Sequence, residues 1–240
     1  MPKGLMLPSN FGYLIEGGIP EGNNILLIGP PGNGKTIFCE NMANEYMRNN
    51  IKFVYVTLDK TPEEVKNDFL KHGLDLSEGR YIDEMFFVDG YTWLIGKSNE
   101  KYHVDSLSNL TELQFRIARA ALELPKPLLL IFDSISPLSL YNSESFVMKF
   151  LQLLFARIKE WKSLGIFVVQ AGVHSQEFYN TLGYMVDGIF DMKINEEDGV
   201  IKRFFRVRNI SSVAHETRWA PFTIGENRTI TLLSEGGEKG

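Results

Sequence analysis

Gly29-Pro30-Pro31-Gly32-Asn33-Gly34-Lys35-Thr36 is the stretch from which the fold of this chain is read. It has the spacing G-x-x-x-x-G-K-[ST] of the phosphate-binding P-loop. Glycines let the backbone curl so that successive N–H groups point into one concavity, and the positive end of a following helix adds to the field that holds an anion. Pro30 and Pro31 lack an N–H, but they precede the amides expected to face phosphate. The motif assigns Gly29, Gly32, Asn33, Gly34, Lys35, Thr36 and Ile37 to the nucleotide phosphates. Lys35 is expected to reach the β- and γ-phosphates, and the Thr36 hydroxyl to ligate Mg²⁺. The flanks agree: Ile25-Leu26-Leu27-Ile28 predicts a buried strand, and residues 37–47, apolar at Ile37, Phe38, Met42, Ala43, Tyr46 and Met47, predict a helix.

The composition sets the frame. At 240 residues the chain is long enough for one large α/β domain, and we expect a single domain over 1–240 with a frayed tail at 234–240. Apolar residues make up 44% and charged residues 23%, ordinary values for a globular protein. No stretch approaches the ~20 apolar residues of a membrane span. The start, Met1-Pro2-Lys3-Gly4-Leu5, lacks a signal-peptide pattern, so a cytoplasmic location without membrane insertion is expected. The single cysteine, Cys39, falls in the P-loop helix and reads as a small core residue. A net charge of −5 is not the footprint of a protein that grips nucleic acid over its whole surface, though it leaves room for a local basic groove.

Farther along, Phe53-Val54-Tyr55-Val56-Thr57-Leu58 predicts a strand, and Thr61-Pro62-Glu63-Glu64 starts a helix with a capping box, ending near His72 and Gly73. Met85-Phe86-Phe87-Val88-Asp89 is a third strand. Residues 91–110 show no period and read as a long loop, functional or disordered. Thr111 opens the next helix, and Leu128-Leu129-Leu130-Ile131-Phe132-Asp133-Ser134 is an apolar strand ending in a carboxylate. Residues 146–161 predict a helix, 166–170 a buried strand, and 188–190, 200–207, 222–224 and 229–233 further strands. The pattern implies a mainly parallel central sheet flanked by helices, with an antiparallel C-terminal extension. Ligands of such sheets bind beyond the carboxyl ends of the strands, where Gly29, Asp59, Asp89, Asp133 and Gln170 are expected to gather.

Two strands end in Asp. Asp133, on the longer and more apolar one, is assigned to the magnesium side with Thr36, and Asp89 to a turn or cap. Asp59, at the tip of the strand expected beside the P-loop strand, is the candidate to orient or deprotonate water. Its alternative is a plain strand end, and Lys60 beside it is expected to lower its basicity. Gln170 ends the last core strand as a γ-phosphate sensor or an ordinary loop-entry residue. Lys202, Arg203, Arg206 and Arg208 form a basic cluster. Arg206 and Arg208 share one face of an extended strand, either as an edge guarded against pairing or as arginine fingers for a neighbouring subunit's nucleotide.

With these residues in place the chain resembles the RecA-superfamily ATPases of the KaiC/RadA type, in particular single-domain KaiC-like proteins. The resemblance runs through EGGIPEGNNILLIGPPGNGKT, FVYVTLDKTPEEV, LLLIFDSISPL, VDGIFDM and the basic strand before PFTI, nearly the whole chain. It implies a RecA-like P-loop NTPase fold that binds ATP and Mg²⁺. It also implies a homo-oligomer, a hexameric ring or a filament, with nucleotide between subunits. It places Asp133 in the Walker B role, and Arg206 and Arg208 as the pair that reaches across the interface. Where relatives carry adjacent glutamates this chain has Asp59-Lys60, where they have Leu-Asp before the Gly-Gly lead-in it has Phe11-Gly12, and an R-G-[TS]-x-H segment is broken after Arg208. The expected activity is slow hydrolysis of ATP to ADP and phosphate that switches an oligomer or a protein partner. The alternatives are a non-hydrolysing ATP-binding switch, favoured by Asp59-Lys60, and a RadA paralog acting on single-stranded DNA. The last is not favoured, because residues 134–148 and 171–192 contain no Lys or Arg; Lys97, Lys101 and His103 in the loop 91–110 are the only substitute track.

Overall fold

The computed structural model describes residues 7–71 and 84–233. Four runs of apolar, largely β-branched or aromatic residues form the middle of its sheet, β1 (Asn24–Gly29), β2 (Phe53–Thr57), β5 (Leu129–Asp133) and β6 (Leu164–Gln170). Their side chains are buried on both faces, as parallel strands covered by helices on each side require. β3 (Met85–Asp89) and the two-residue β4 (Tyr102–His103) extend the parallel part, and β7 (Gly188–Glu197) closes it on the other side of β1. β8 (Val200–Ile210), β9 (Ala220–Ile224) and β10 (Ile230–Leu232) then run antiparallel. The ten-stranded order is β10-β9-β8-β7-β1-β6-β5-β2-β3-β4. The mainly parallel RecA-like α/β fold with an antiparallel C-terminal extension is therefore the observed one.

Alternation along the strands splits the core between two helical layers. Ile25 and Leu27 of β1 pack with α1 (Lys35–Arg48) and α2 (Pro62–Lys71) through Phe38, Met42, Val65 and Phe69. Leu26 points the other way, toward α3 (Leu110–Leu122), α4 (Glu144–Glu160) and α5 (Gln176–Met185). On the α1 side an aromatic cluster ties the extension to the P-loop helix: Phe38 stacks on Phe205 at 5.1 Å, and Phe11 meets Phe205 edge-on at 5.0 Å. At the sheet edge the Asn10 amide donates to Leu232 O and its oxygen accepts from Leu232 N, both at 2.8 Å.

The structure corrects several expectations. β2 does not lie beside the P-loop strand: β6 and β5 stand between them, so Asp59 approaches from the Walker B side. α3 is capped by Asn109, whose side chain accepts from Glu112 N at 3.1 Å, and so begins one residue before Thr111. Residues 91–110 are an ordered segment, with a 3₁₀ turn at Thr92–Leu94 and β4 on the sheet edge. α5, absent from the sequence reading, follows a Ser175 cap. The expected helix end at His72 and Gly73 and the expected frayed tail at 234–240 lie outside the described residues.

Candidate nucleotide site

The P-loop closes between β1 and α1. Gly32 and Gly34 adopt left-handed backbone (φ 75° and 97°), which only glycine enters without strain. At Gly29 a side chain would strike the Asn33 amide and come within 2.7 Å of Met192 O, so the loop is packed against β7. Gly34 caps α1 without a side chain, leaving the first N–H groups of the helix to the concavity. The Asn33 amide nitrogen is buried there with no partner.

Lys35 Nζ donates to Gly29 O at 2.8 Å, Pro30 O at 2.7 Å, Asn33 Oδ1 at 3.3 Å and Gln170 Oε1 at 2.9 Å. Burial lowers its pKa to about 8, while the nearby Asp133 carboxylate works the other way. Gln170, paired with Gly29 across the β1–β6 ladder, thus meets Lys35 through its side chain. Thr36 Oγ1 donates to Asp133 Oδ2 at 2.8 Å, and the buried Tyr55 hydroxyl donates to the same oxygen at 2.9 Å. Burial pushes the Asp133 carboxyl up to about 6 against those two hydrogen bonds. Tyr55 was not foreseen. Its signal is a phenol placed centrally in an otherwise apolar strand, which when buried needs a polar partner.

Asp59 is brought to the same end. Ser134 Oγ donates to Asp59 Oδ2 at 2.6 Å, and Ser134 follows Asp133 directly. Burial raises the pKa of Asp59, opposed by the Ser134 bond and the charge of Lys35. Lys60 turns away and pairs with Asp68 of α2 at 2.7 Å, so it pulls on Asp59 only weakly. Asp89 does what its alternative required: its Oδ1 accepts from Tyr91 N and Thr92 N, both at 2.9 Å, capping the 3₁₀ turn. Cys39 is a buried core thiol, with its pKa pushed up by burial.

Arg206 and Arg208 stand apart from this group, on β8. Arg206 Nε and Arg208 Nε both donate to Asp191 Oδ2 at 2.8 Å, and Arg208 Nη2 donates to Asp191 Oδ1 at 2.5 Å. Among the described residues their hydrogen-bond partner is this β7 carboxylate and no group of the P-loop.

A family model described as "ATPase: KaiC" matches residues 9–237. The chain belongs to this KaiC ATPase family. Within it, a UPF0273 protein of Thermotoga maritima is 30% identical over 231 residues, covering 94% of this chain and 93% of the relative. A UPF0273 protein of Pyrococcus horikoshii is 30% identical over 225 residues, covering 90% and 88%. The solved KaiC-like protein PH0186 of Pyrococcus horikoshii superposes with a TM-score of 0.76 over 96% of this chain and 98% of its own, at 22% identity, which is a likeness of fold. The chain is therefore a KaiC-family, RecA-like ATP-binding domain. Among the described residues no helix is long and apolar enough to cross a membrane.

Proposed function

We propose that this KaiC-family domain binds Mg-ATP and hydrolyses it slowly to ADP and phosphate, switching the assembly of an oligomer or its contact with a protein partner. One observation carries the hydrolytic part: the Ser134 hydroxyl on Asp59 at 2.6 Å, adjoining the Thr36–Asp133 contact at 2.8 Å. A second carboxylate, raised in pKa by burial, beside the Thr36–Asp133 pair supports reading Asp59 as the group that faces the attacking water.

The donor set suits a magnesium nucleotide. Uncapped helical N–H groups, the orphaned Asn33 amide and Lys35 match phosphate oxygens. Thr36 and Asp133 offer hard oxygens, and among the described residues no group of three or more His, Cys, Asp or Glu is placed to hold a metal. Such a pair suits an ion that completes its shell with phosphate and water. When bound, the metal would neutralise charge on the phosphates. Asp59 would accept a proton from the attacking water, Lys35 would exchange loop carbonyls for phosphate, and Gln170 would be released from Lys35. Arg206 and Arg208 would act on the nucleotide of a neighbouring copy in a ring or filament.

Single-turnover hydrolysis at high protein concentration tests this. Phosphate released over minutes to hours, and lost in Asp59→Asn with ATP still bound, is the expected result. ATP bound for many hours without phosphate would leave a non-hydrolysing switch instead. DNA binding is not supported by the loops: Lys101 is taken up by Glu123 at 2.5 Å and lies over the rings of Phe86 and Tyr102.

A further inference from the structure

The antiparallel extension buries one face and opens the other. Phe190, Met192, Phe205 and Val207 point to the α1 side. Asp191, Lys193, Phe204, Arg206 and Arg208 therefore point away from it. Asp191 and Arg206 are directly paired across β7 and β8, and the register then shifts: Phe190 faces Val207 whereas Ile189 faces Asn209. Arg208 is the residue left over, and a bulge of this kind re-aims a side chain. From this position Arg208 places a second guanidinium on the same carboxylate oxygen.

The way the arginines are held matters more than the fact that they are. Asp191, 7% exposed, receives Arg206 through Nε alone and Arg208 through Nε and Nη2. Both Nη groups of Arg206 and the Nη1 of Arg208 have no hydrogen-bond partner among the described residues. The indole of Trp219 lies under the Arg206 guanidinium at 4.4 Å, with Lys193 on the same ring at 4.5 Å. One carboxylate against two arginines and a lysine leaves surplus positive charge on a chain whose net charge is −5. Guanidiniums fixed by their inner edges, with outer donors open, form a preorganised receptor for an oxyanion.

We propose that Asp191 is a positioning residue, which together with the Trp219 ring presents Arg206 and Arg208 as a rigid two-guanidinium receptor for a phosphate oxyanion on a second copy of this chain. The inference rests on the reading of the arginine pair as acting on a neighbour's nucleotide. Its novelty lies in the carboxylate and the indole: the arginines are set before the neighbour arrives, so no ordering is left to be done at the moment of contact.

Complementation between subunits tests it. Asp191→Asn is expected to lower kcat for ATP about 10²-fold with KM for ATP unchanged, the scale of a misplaced catalytic group. Asp191→Glu is expected to regain part of the loss, and Trp219→Leu to lose less than Asp191→Asn. Mixed with Asp59→Asn subunits, which keep their arginines but lack the base, Asp191→Asn subunits are expected to recover activity above that of either variant alone. A defect confined to packing within the subunit would not recover. Should Asp191→Asn not fold, as judged by thermal melting, Trp219→Leu carries the same mixing experiment. If Asp191→Asn matches the wild type while Arg206→Ala/Arg208→Ala is inactive, the positioning role is overturned and the arginine reading stands. If the double arginine variant itself matches the wild type, both fall. If the arginine variant recovers on mixing and Asp191→Asn does not, Asp191 acts inside its own subunit and the inference fails alone.

Discussion

The parallel half of the sheet and its antiparallel extension treat charge in opposite ways. At the carboxyl ends of β1, β5 and β6, each charged group is already surrounded: Lys35 has four acceptors and Asp133 two donors within the subunit. On β7 and β8 the balance is uneven, because one carboxylate serves two arginines and leaves their outer donors open. The cause is burial. Parallel strands are covered on both faces, so charged groups there are satisfied locally. The extension is covered on one face only, and its open face can hold donors in surplus for another molecule. Affinity for nucleotide is thus expected to reside in the parallel half, and the rate of its cleavage to depend on both.

The largest effect that would break this division is on turnover. Arg206→Ala/Arg208→Ala is expected to lower kcat about 10³-fold, as loss of an arginine finger does, with ATP affinity held. In the wild type the rate per subunit should rise with protein concentration, and in the double variant that rise should vanish; a concentration-independent wild-type rate would refute the division. Next, Asp59→Asn is expected to lower kcat about 10²-fold. Because burial raises the Asp59 pKa, the wild-type kcat–pH profile should fall toward acid with a midpoint above the ordinary aspartate value of about 3.9. The linked stability has the opposite sense: it is present while Asp59 is protonated and lost as pH rises through its folded pKa, so at neutral pH Asp59→Asn should melt higher. Third, Lys35→Ala should weaken ATP binding by about tenfold or more in calorimetry, the scale of one charged hydrogen bond, while Asp191→Asn should not.

The smallest effect lies behind Gln170. His174, its ring fully covered, sits 3.1 Å from Ser136 Oγ, 3.3 Å from Ser139 Oγ and 3.6 Å from Glu144, stacked on Phe178 at 4.3 Å. Burial lowers its pKa, with Glu144 opposing. Its stabilising contribution is present above the ordinary histidine value of about 6.5 and lost as pH falls through the lower folded value. Urea midpoints should therefore drop below that pH in the wild type and drop less in His174→Gln. An equal drop in both would place the acid sensitivity elsewhere.

What the sequence made legible follows the same division. Gly29 to Thr36 is contiguous, so its residues fix one another's geometry, and Asp133 was readable because a long apolar strand must end somewhere polar. Strand order was not: which strands flank β1 depends on crossovers between distant segments, and so the neighbour of Asp59 was misjudged. Lys60 looked like a liability because Asp68, which draws it off, lies a helix turn or two away in α2. α5 escaped notice although Ser175, Phe178 and Leu182 carry a cap and an i, i+4 apolar pair. Asp191 was hidden inside an apolar strand, and its meaning appears only when β7 pairs with β8 and sets it opposite Arg206, with Arg208 on the same carboxylate.

The Asn10 amide on Leu232 has a consequence for assembly. By giving and taking a hydrogen bond at 2.8 Å, it occupies backbone groups that a further strand would use on β10. The opposite margin, β4, is two residues long and offers little to extend. The sheet is a ribbon finished at both hems. Copies of this chain cannot readily be sewn together strand to strand, so a ring or filament would have to be joined through loops and open faces, where the P-loop and the arginine pair are found.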